Sequence, residues 1–293
     1  MVEDCVIVKF SGELAIKTFF VRQFFTKKLR SNILIALENN SIKVEKIVTS
    51  SGRFFVFSND SKRSLKILKN VFGVHAVALA MHQEYFSLED LSVKALDFFS
   101  PVLKTVKSFA VKSKRDKRLD FSSLDANIKI GAVLKEKFSE KIVDLTNPDK
   151  TFFVEIFQKN VFFYVEEQRA LGGLPIGVQG KVALFLSGKK EDLFAAFLML
   201  KRGCRIFPIF ETGLDFDLKK LEKFNSYQEF VPTEIGKTVS LVKDFNLKAF
   251  VVSDTVIDSK KFKEFDLLKK IPVYRPLLFL SEKELTSLEA VFE

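Results

Sequence analysis

The chain has no tryptophan, two cysteines, two histidines and three methionines among 293 residues. Each scarcity excludes something. Cys5 and Cys204 lie far apart beside strand-like apolar runs, which rules out a disulfide framework and points to a reducing, cytoplasmic setting. Two cysteines are too few for a four-thiolate iron–sulfur cluster, and Cys5, His75, His82 and Cys204 are too scattered to read as a two-Cys two-His cluster set, so no iron–sulfur cluster is expected. His75 and His82 stand apart from any metal-type spacing, so no metal site is expected. No apolar run approaches the ~18 residues of a membrane span, and the N-terminus lacks a basic-then-apolar signal pattern. A membrane partner is therefore not expected. No G-x-G turn follows a strand, which leaves RNA methyl transfer without its donor site.

Basic residues and phenylalanine are abundant instead. Lys and Arg total 47 against 37 acids, a net charge of +10, and they cluster. That balance suits an anionic partner, nucleic acid first. The 34 phenylalanines read as core filling and not as base-stacking platforms.

The joint of the chain runs from Arg169 to Cys204. Gly172, Gly173, Pro175 and Gly177 punctuate its first part too heavily for helix or strand. An apolar run Val182–Leu186, then Ser187-Gly188, then an amphipathic segment to Gly203 read as strand, loop and helix. Such a loop, facing a helix N-terminus, is where parallel α/β folds hold phosphate.

Before the joint, strand 5–10, a helix over 18–39, strands 42–49 and 53–58, a helix over 61–72 and strand 74–80 follow a β-α-β-β-α-β order. That is the ferredoxin-like pattern. Lys9, Lys17, Arg22, Lys27, Lys28 and Arg30 against Glu13 make its first helix basic; a solvated face and an RNA contact both account for this. A second module opens with a capped helix from Ser87 to Phe99, stopped by Ser100-Pro101. Strand 108–113, a basic loop, a helix over 124–138, and strands 151–158 and 161–167 around a Lys159-Asn160 turn complete it. Seven basic residues and one acid lie between Lys104 and Arg118, followed by Ser122 and Ser123 at a helix N-terminus. That grouping suits a sugar–phosphate backbone better than base edges. A charged surface loop with an ordinary serine cap is the bland alternative.

Three stretches carry a family resemblance. Val111-Lys112-Ser113-Lys114-Arg115, Asp120-Phe121-Ser122-Ser123-Leu124-Asp125 and Leu145-Thr146-Asn147-Pro148-Asp149, with the glycines from Gly172 to Gly177, resemble the THUMP domain of ThiI-type tRNA 4-thiouridine synthetases. Gly12-Glu13-Leu14-Ala15-Ile16-Lys17 with Arg22 and Phe25 resembles that family's ferredoxin-like domain. Gly188, Lys201-Arg202-Gly203-Cys204 and Arg275-Pro276-Leu277-Leu278 are similar to its PP-loop domain. The resemblance implies three domains: ferredoxin-like (1–83), THUMP (84–177) and a reduced PP-loop-like parallel α/β domain (178–293). It also implies a grip on the tRNA acceptor stem and 3′ CCA end, with adenylation of uridine 8 by ATP and Mg²⁺ and sulfur from a persulfide. The RNA-binding residues expected on the two readings together are Lys17, Arg22, Lys112, Lys114, Arg115, Lys117, Arg118, Phe121, Ser122, Ser123, Arg169, Gly172 and Gly173.

The chemistry end departs from the family. Its loop is Ser-Gly-Gly-x-Asp-Ser; here it is Ser187-Gly188-Lys189-Lys190-Glu191-Asp192. Lys189 puts a Cβ where backbone should approach pyrophosphate, and Asp192 sets a carboxylate where phosphate should lie. Ser253-Asp254-Thr255-Val256-Ile257, after the strand at 249–253, lacks the family's Gly and Gln. No cysteine near the C-terminus is available as a persulfide carrier. The expectation is a tRNA-binding protein with no catalytic residues of its own and a degenerate nucleotide loop at Ser187, Gly188 and Lys189. No cofactor is expected; ATP and Mg²⁺ belong to the alternative, an active tRNA sulfurtransferase with an external sulfur donor. A protein-interaction scaffold is the further alternative. Expected partners are tRNA and a catalytic or sulfur-donor protein, and the sequence leaves a homodimer open.

Overall fold

The computed structural model describes residues 4–50, 52–116, 119–211, 213, 216–234, 246–255 and 271–292. The chain forms two compact units. One comprises Met1–Val8, Lys43–Leu65 and Val77–Gln168; the other comprises Lys9–Ile42, Lys66–Ala76 and Arg169–Glu293.

The N-terminal elements are β1 (Cys5–Phe10), α1 (Gly12–Ala15), α2 (Phe19–Glu38), β2 (Val44–Ser50), β3 (Arg53–Ser58), α3 (Ser61–Leu68) and β4 (Val74–Glu84). Then come α4 (Leu88–Leu103), β5 (Ser108–Arg115), α5 (Ser123–Lys137), β6 (Ile142–Val143), β7 (Lys150–Phe157), β8 (Asn160–Tyr164) and β9 (Gln168–Arg169). Their strands make one nine-stranded sheet in the order β2-β3-β1-β4-β8-β7-β5-β6, with β9 on β4. The neighbours β2-β3-β1-β4 form the ferredoxin-like sheet, as the element order predicts. The strand expected to end at Ala80 runs on to Glu84, because Met81 to Glu84 pair antiparallel with β8. Strand β4 thus joins the ferredoxin-like part of the sheet to β8.

The core of this unit follows a four-residue spacing. Leu91, Ala95, Phe99 and Leu103 of α4 and Ala126, Ile130 and Leu134 of α5 cluster with Phe109, Phe152, Val154 and Phe163. Two expectations need correction. Helix α4 does not stop at Phe99: it carries Pro101 inside it and ends at Leu103. Proline removes one N–H bond, to the Asp97 carbonyl, but Asp97 is exposed and water can replace that donor. Burying Leu103 gains about 1.5–3 kcal/mol, more than the ~1 kcal/mol of one exposed hydrogen bond. The β7–β8 hairpin turns at Gln158-Lys159, one residue earlier than expected, since Phe157 pairs with Asn160 and Gln158 takes a φ of 54°. This register sets Val154 opposite Phe163 and Ile156 opposite Val161, all in the core; a one-residue slip would turn them to the other face.

The second unit holds β10 (Lys181–Phe185), α6 (Glu191–Lys201), β11 (Arg205–Phe210), β12 (Thr233–Glu234), β13 (Leu247–Val251) and β14 (Val273–Tyr274). These five strands form a parallel sheet ordered β12-β11-β10-β13-β14. Strand order reverses at β10, so the crevice beyond the C-terminal ends of β10 and β13 is the switch point of a doubly wound sheet. Val182, Leu184 and Leu186 pack there on Phe194, Phe197 and Leu200 of α6, together with Phe72, Ile176 and Phe292.

The glycine-rich joint is fixed by its own backbone. Gly73 N–H donates to the Gly172 carbonyl (2.8 Å), Gly172 N–H to Val74 (2.7 Å), and the Ser11 hydroxyl to the Gly173 carbonyl (2.8 Å). Gly173 has a φ of +70°, and a Cβ there would lie 2.5 Å from the Lys201 carbonyl oxygen. Gly173→Ala is expected to destabilise the fold by at least about 2 kcal/mol, from left-handed strain plus the clash. A lower urea midpoint with an unchanged m-value is the signature; an unchanged midpoint would contradict it.

Candidate nucleic-acid interface and nucleotide loop

The expected RNA-binding residues fall into two sets, one in each unit. Lys112, Lys114, Arg115, Phe121, Ser122 and Ser123 stand on and after β5; Lys17, Arg22, Arg169, Gly172 and Gly173 belong to the other unit. Lys117 and Arg118 lie outside the described residues.

Strand alternation decides what β5 presents. Lys112 and Lys114 are exposed on one face, while the alternating Val111 and Ser113 are buried on the other. Arg115 has a different job: its guanidinium donates to the carbonyls of Asp116 (3.0 Å) and Leu119 (3.2 Å), which ties down the base of the loop. Phe121 is half-buried against the core with its ring edge-on to Tyr85, 6.4 Å between centroids. Ser122 caps α5 in a reciprocal box. Its hydroxyl accepts from Asp125 N–H (3.1 Å), and Asp125 carboxylate accepts from Ser122 N–H (2.7 Å). That N–H and the Ser122 hydroxyl hold the Asp125 carboxyl below its usual range. The Ser122 hydroxyl is therefore committed to the helix cap.

In the second unit Arg22 and Arg169 are exposed and Lys17 is half-exposed. Gly172 and Gly173 serve the joint's own hydrogen bonds and its close approach to Lys201. The phenylalanines do not all fill the core. On α2, Phe25, Leu29, Ile33 and Leu37 are buried, whereas Phe19, Phe20 and Phe24 are exposed beside the basic residues.

The loop after β10 lies at the switch point. Gly188 has a φ of +77°, and α6 starts at Glu191 without a side-chain cap from Lys190. The donors at this helix entrance converge on one side chain. Asp192, only 3% exposed, accepts from Ser187 N–H (2.7 Å) and Gly188 N–H (3.1 Å). It also accepts from the hydroxyls of Ser187 (3.0 Å) and of Ser253 (2.6 Å), the latter just beyond β13. A carboxylate at this point was expected to repel phosphate; it also takes the donors a phosphate would use. Sequence reasoning named Ser253 in the motif after the strand at 249–253 but did not place it at this loop, to which the parallel pairing of β10 with β13 brings it. Lys189 is exposed, and Lys190 Nζ pairs with Glu289 (2.7 Å), which raises the lysine's pKa. Arg275 of the Arg275-Pro276-Leu277-Leu278 stretch pairs with Asp254 at 3.3 Å, and Leu277 is buried. Val256 and Ile257 lie outside the described residues. Burial pushes both cysteine thiols above their ordinary pKa, so neither is a ready nucleophile. Among the described residues no three His, Cys, Asp or Glu side chains are grouped to hold a metal, and no helix is long and apolar enough to cross a membrane.

Residues 5–78 match the ThiI ferredoxin-like domain and residues 85–166 match the THUMP domain. A relative from Methanosarcina acetivorans, named "Probable tRNA sulfurtransferase", is 30% identical over 257 residues, covering 85% of this chain. The chain spans 62% of that relative's length. A relative of the same name from Thermococcus kodakarensis is 27% identical over 332 residues, covering 97% of this chain and 86% of its own. A Pyrococcus horikoshii protein of known structure superposes with a TM-score of 0.83 at 28% identity, covering 98% of each chain. A 4-thiouridine synthetase solved as an RNA complex with bound ATP shares the fold, with a TM-score of 0.76 at 21% identity. That match covers 99% of this chain and 85% of the synthetase.

Proposed function

Because the chain is a ThiI-like protein, a ThiI ferredoxin-like domain followed by a THUMP domain, we propose that it binds tRNA through phosphate contacts and does not itself adenylate uridine. The acceptor stem with its single-stranded 3′ end is the preferred region. A-form stems offer shape and phosphate, and unpaired ends offer bases. The exposed Lys112 and Lys114 on β5, and the basic helix α2, supply the charge.

The observation that carries the catalytic half of this reading is the Asp192 carboxylate in the loop after β10. Pyrophosphate needs converging backbone N–H groups and room beside the helix entrance. Here the Ser187 and Gly188 N–H groups and two serine hydroxyls already bind a fixed negative charge. The residues present do not fit ATP. The missing chemistry falls to a catalytic or sulfur-donor partner.

The test is one incubation with two readouts. The pure chain is mixed with tRNA, ATP, Mg²⁺ and sulfide, then assayed for retained tRNA and for AMP, pyrophosphate and 4-thiouridine. Salt-sensitive retention without AMP is the expected result. AMP and 4-thiouridine together would establish an active sulfurtransferase. Absence of retention at low salt would leave a protein-interaction scaffold.

A further inference from the structure

Five large apolar side chains lie exposed within nine residues at the entrance to α2. They are Ile16 (81%), Phe19 (58%), Phe20 (80%), Val21 (39%) and Phe24 (50%). Folding does not require them there, since the opposite face of the helix, with Phe25, Leu29, Ile33 and Leu37, already supplies the buried stripe. The charges around them have one sign. Lys17, Arg22, Lys27 and Arg30 flank the rings along the chain, and Glu13 is the one acid between Lys9 and Arg30. Thr18, the N-cap, makes no side-chain cap bond, and no acid sits in the first turn, so the helix entrance keeps its positive end.

Helical spacing interleaves rings and cations. Phe20, Phe24 and Lys27 share the outward face, at intervals of four and three residues, and Phe19 and Arg22 are three apart beside it. The Phe19 and Phe20 rings meet edge-on, 5.7 Å apart and 75° between planes, so they do not stack on each other. Phe24 likewise meets the buried Phe25 edge-on, 6.0 Å apart. An alternation of flat apolar faces with cations complements a single strand, which alternates flat bases with phosphates. A purely apolar partner would be poorly served by the four cations, and a duplex hides the faces of its bases.

We propose that the exposed face of Phe19, Phe20 and Phe24, flanked by Lys17, Arg22 and Lys27, is a stacking platform for unpaired bases of a single-stranded RNA segment. This inference rests on the RNA-binding reading above. It assigns the cations to phosphate and the rings to base faces. Stacking on an aromatic ring tolerates any base, so the platform recognises single-strandedness more than sequence.

The two contributions separate by salt. Phosphate contacts set the slope of log K against log salt, whereas stacking releases no counterions. The full-length chain and its Phe20→Ala/Phe24→Ala variant are compared on an RNA duplex with and without a four-nucleotide single-stranded 3′ extension. The parent is expected to prefer the extended duplex. The variant should lose roughly thirtyfold on it, keep its affinity for the blunt duplex and keep the same salt slope. Both rings are exposed, so an unchanged far-UV circular dichroism spectrum and melting temperature confirm that the fold is kept. A direct reporter is available because the chain has no tryptophan. The single variant Phe20→Trp should be quenched by the extended duplex and not by the blunt one. A variant that retains the preference for the extension, or an unquenched tryptophan on bound RNA, overturns the platform and leaves the face to a protein partner. If the parent binds neither RNA, the RNA-binding reading falls, and the platform with it.

Discussion

Replacing Lys112 and Lys114 with alanine is expected to lower tRNA affinity by one to two orders of magnitude and to flatten its salt dependence. Each phosphate that loses its cation removes about 0.7–0.9 from the slope of log K against log salt, so the pair should remove roughly 1.5. The choice of these two follows from β5. They are exposed at alternate positions of one strand, with the buried Ser113 between them, so the substitutions leave the core untouched. Arg115 is a poorer probe, because its guanidinium holds the carbonyls of Asp116 and Leu119 and its loss would loosen the loop as well. Extending the variant to Arg115, Lys117 and Arg118 should abolish most of the remaining binding. Filter binding from 50 to 300 mM salt is sufficient (roughly the range over which phosphate contacts dominate). Binding that keeps both its strength and its slope in the double variant would place the phosphate contacts elsewhere.

Much of the local structure around β5 was legible in the sequence, and the reason is that its signals are local. The basic stretch after Lys104 and the capping box at Ser122 and Asp125 are written in neighbouring residues, as is the four-residue spacing of the α4 and α5 cores. What was not legible depended on long-range pairing. The β7–β8 turn moved by one residue because core pairing sets its register, and Lys159-Asn160 is merely the more turn-like dipeptide. Strand β4 outran its expected end because β8, some eighty residues on, offers a partner to Met81–Glu84. Phenylalanine misled for a different reason. Hydrophobicity predicts burial only on average, and a helix buries one face. The heavy apolar content of α2 hid the fact that Phe20 and Phe24 lie on the basic face. A helical wheel centred on Phe25, Leu29 and Ile33 is the signal that separates the two sets.

The nucleotide loop divides in the same way. That Asp192 is a wrong-sign charge for phosphate follows from sequence; that it is itself the ligand of the loop required the sheet order. Ser187 follows β10 and Ser253 follows β13, and only adjacency of those strands places both hydroxyls on one carboxylate. Asp192 therefore links the two sides of the switch-point crevice. Restoring the loop by Lys189→Gly and Asp192→Ser is accordingly expected to have two opposite effects. Stability should fall by about 2–3 kcal/mol, since a buried, charged acceptor of four hydrogen bonds is lost and water refills the exposed Ser187 and Gly188 only in part. Anion affinity should rise at least tenfold. Two backbone N–H groups are freed, the room taken by the Lys189 side chain is regained, and the repulsion from a carboxylate is removed, a term of about 4 kcal/mol at contact in a surface-like dielectric. A melting experiment reads both at once. In buffer without phosphate the double variant should melt below the parent. Inorganic phosphate or ATP at millimolar concentration should recover part of that loss in the variant and leave the parent unmoved, since a ligand stabilises only the state that binds it. An equal phosphate response in parent and variant would show that the loop of the parent is open after all, and that Asp192 does not hold its place against an anion. A variant that loses stability but gains no phosphate response would show that the donors freed at Ser187 and Gly188 do not make a nest without the glycine-rich backbone of an intact loop.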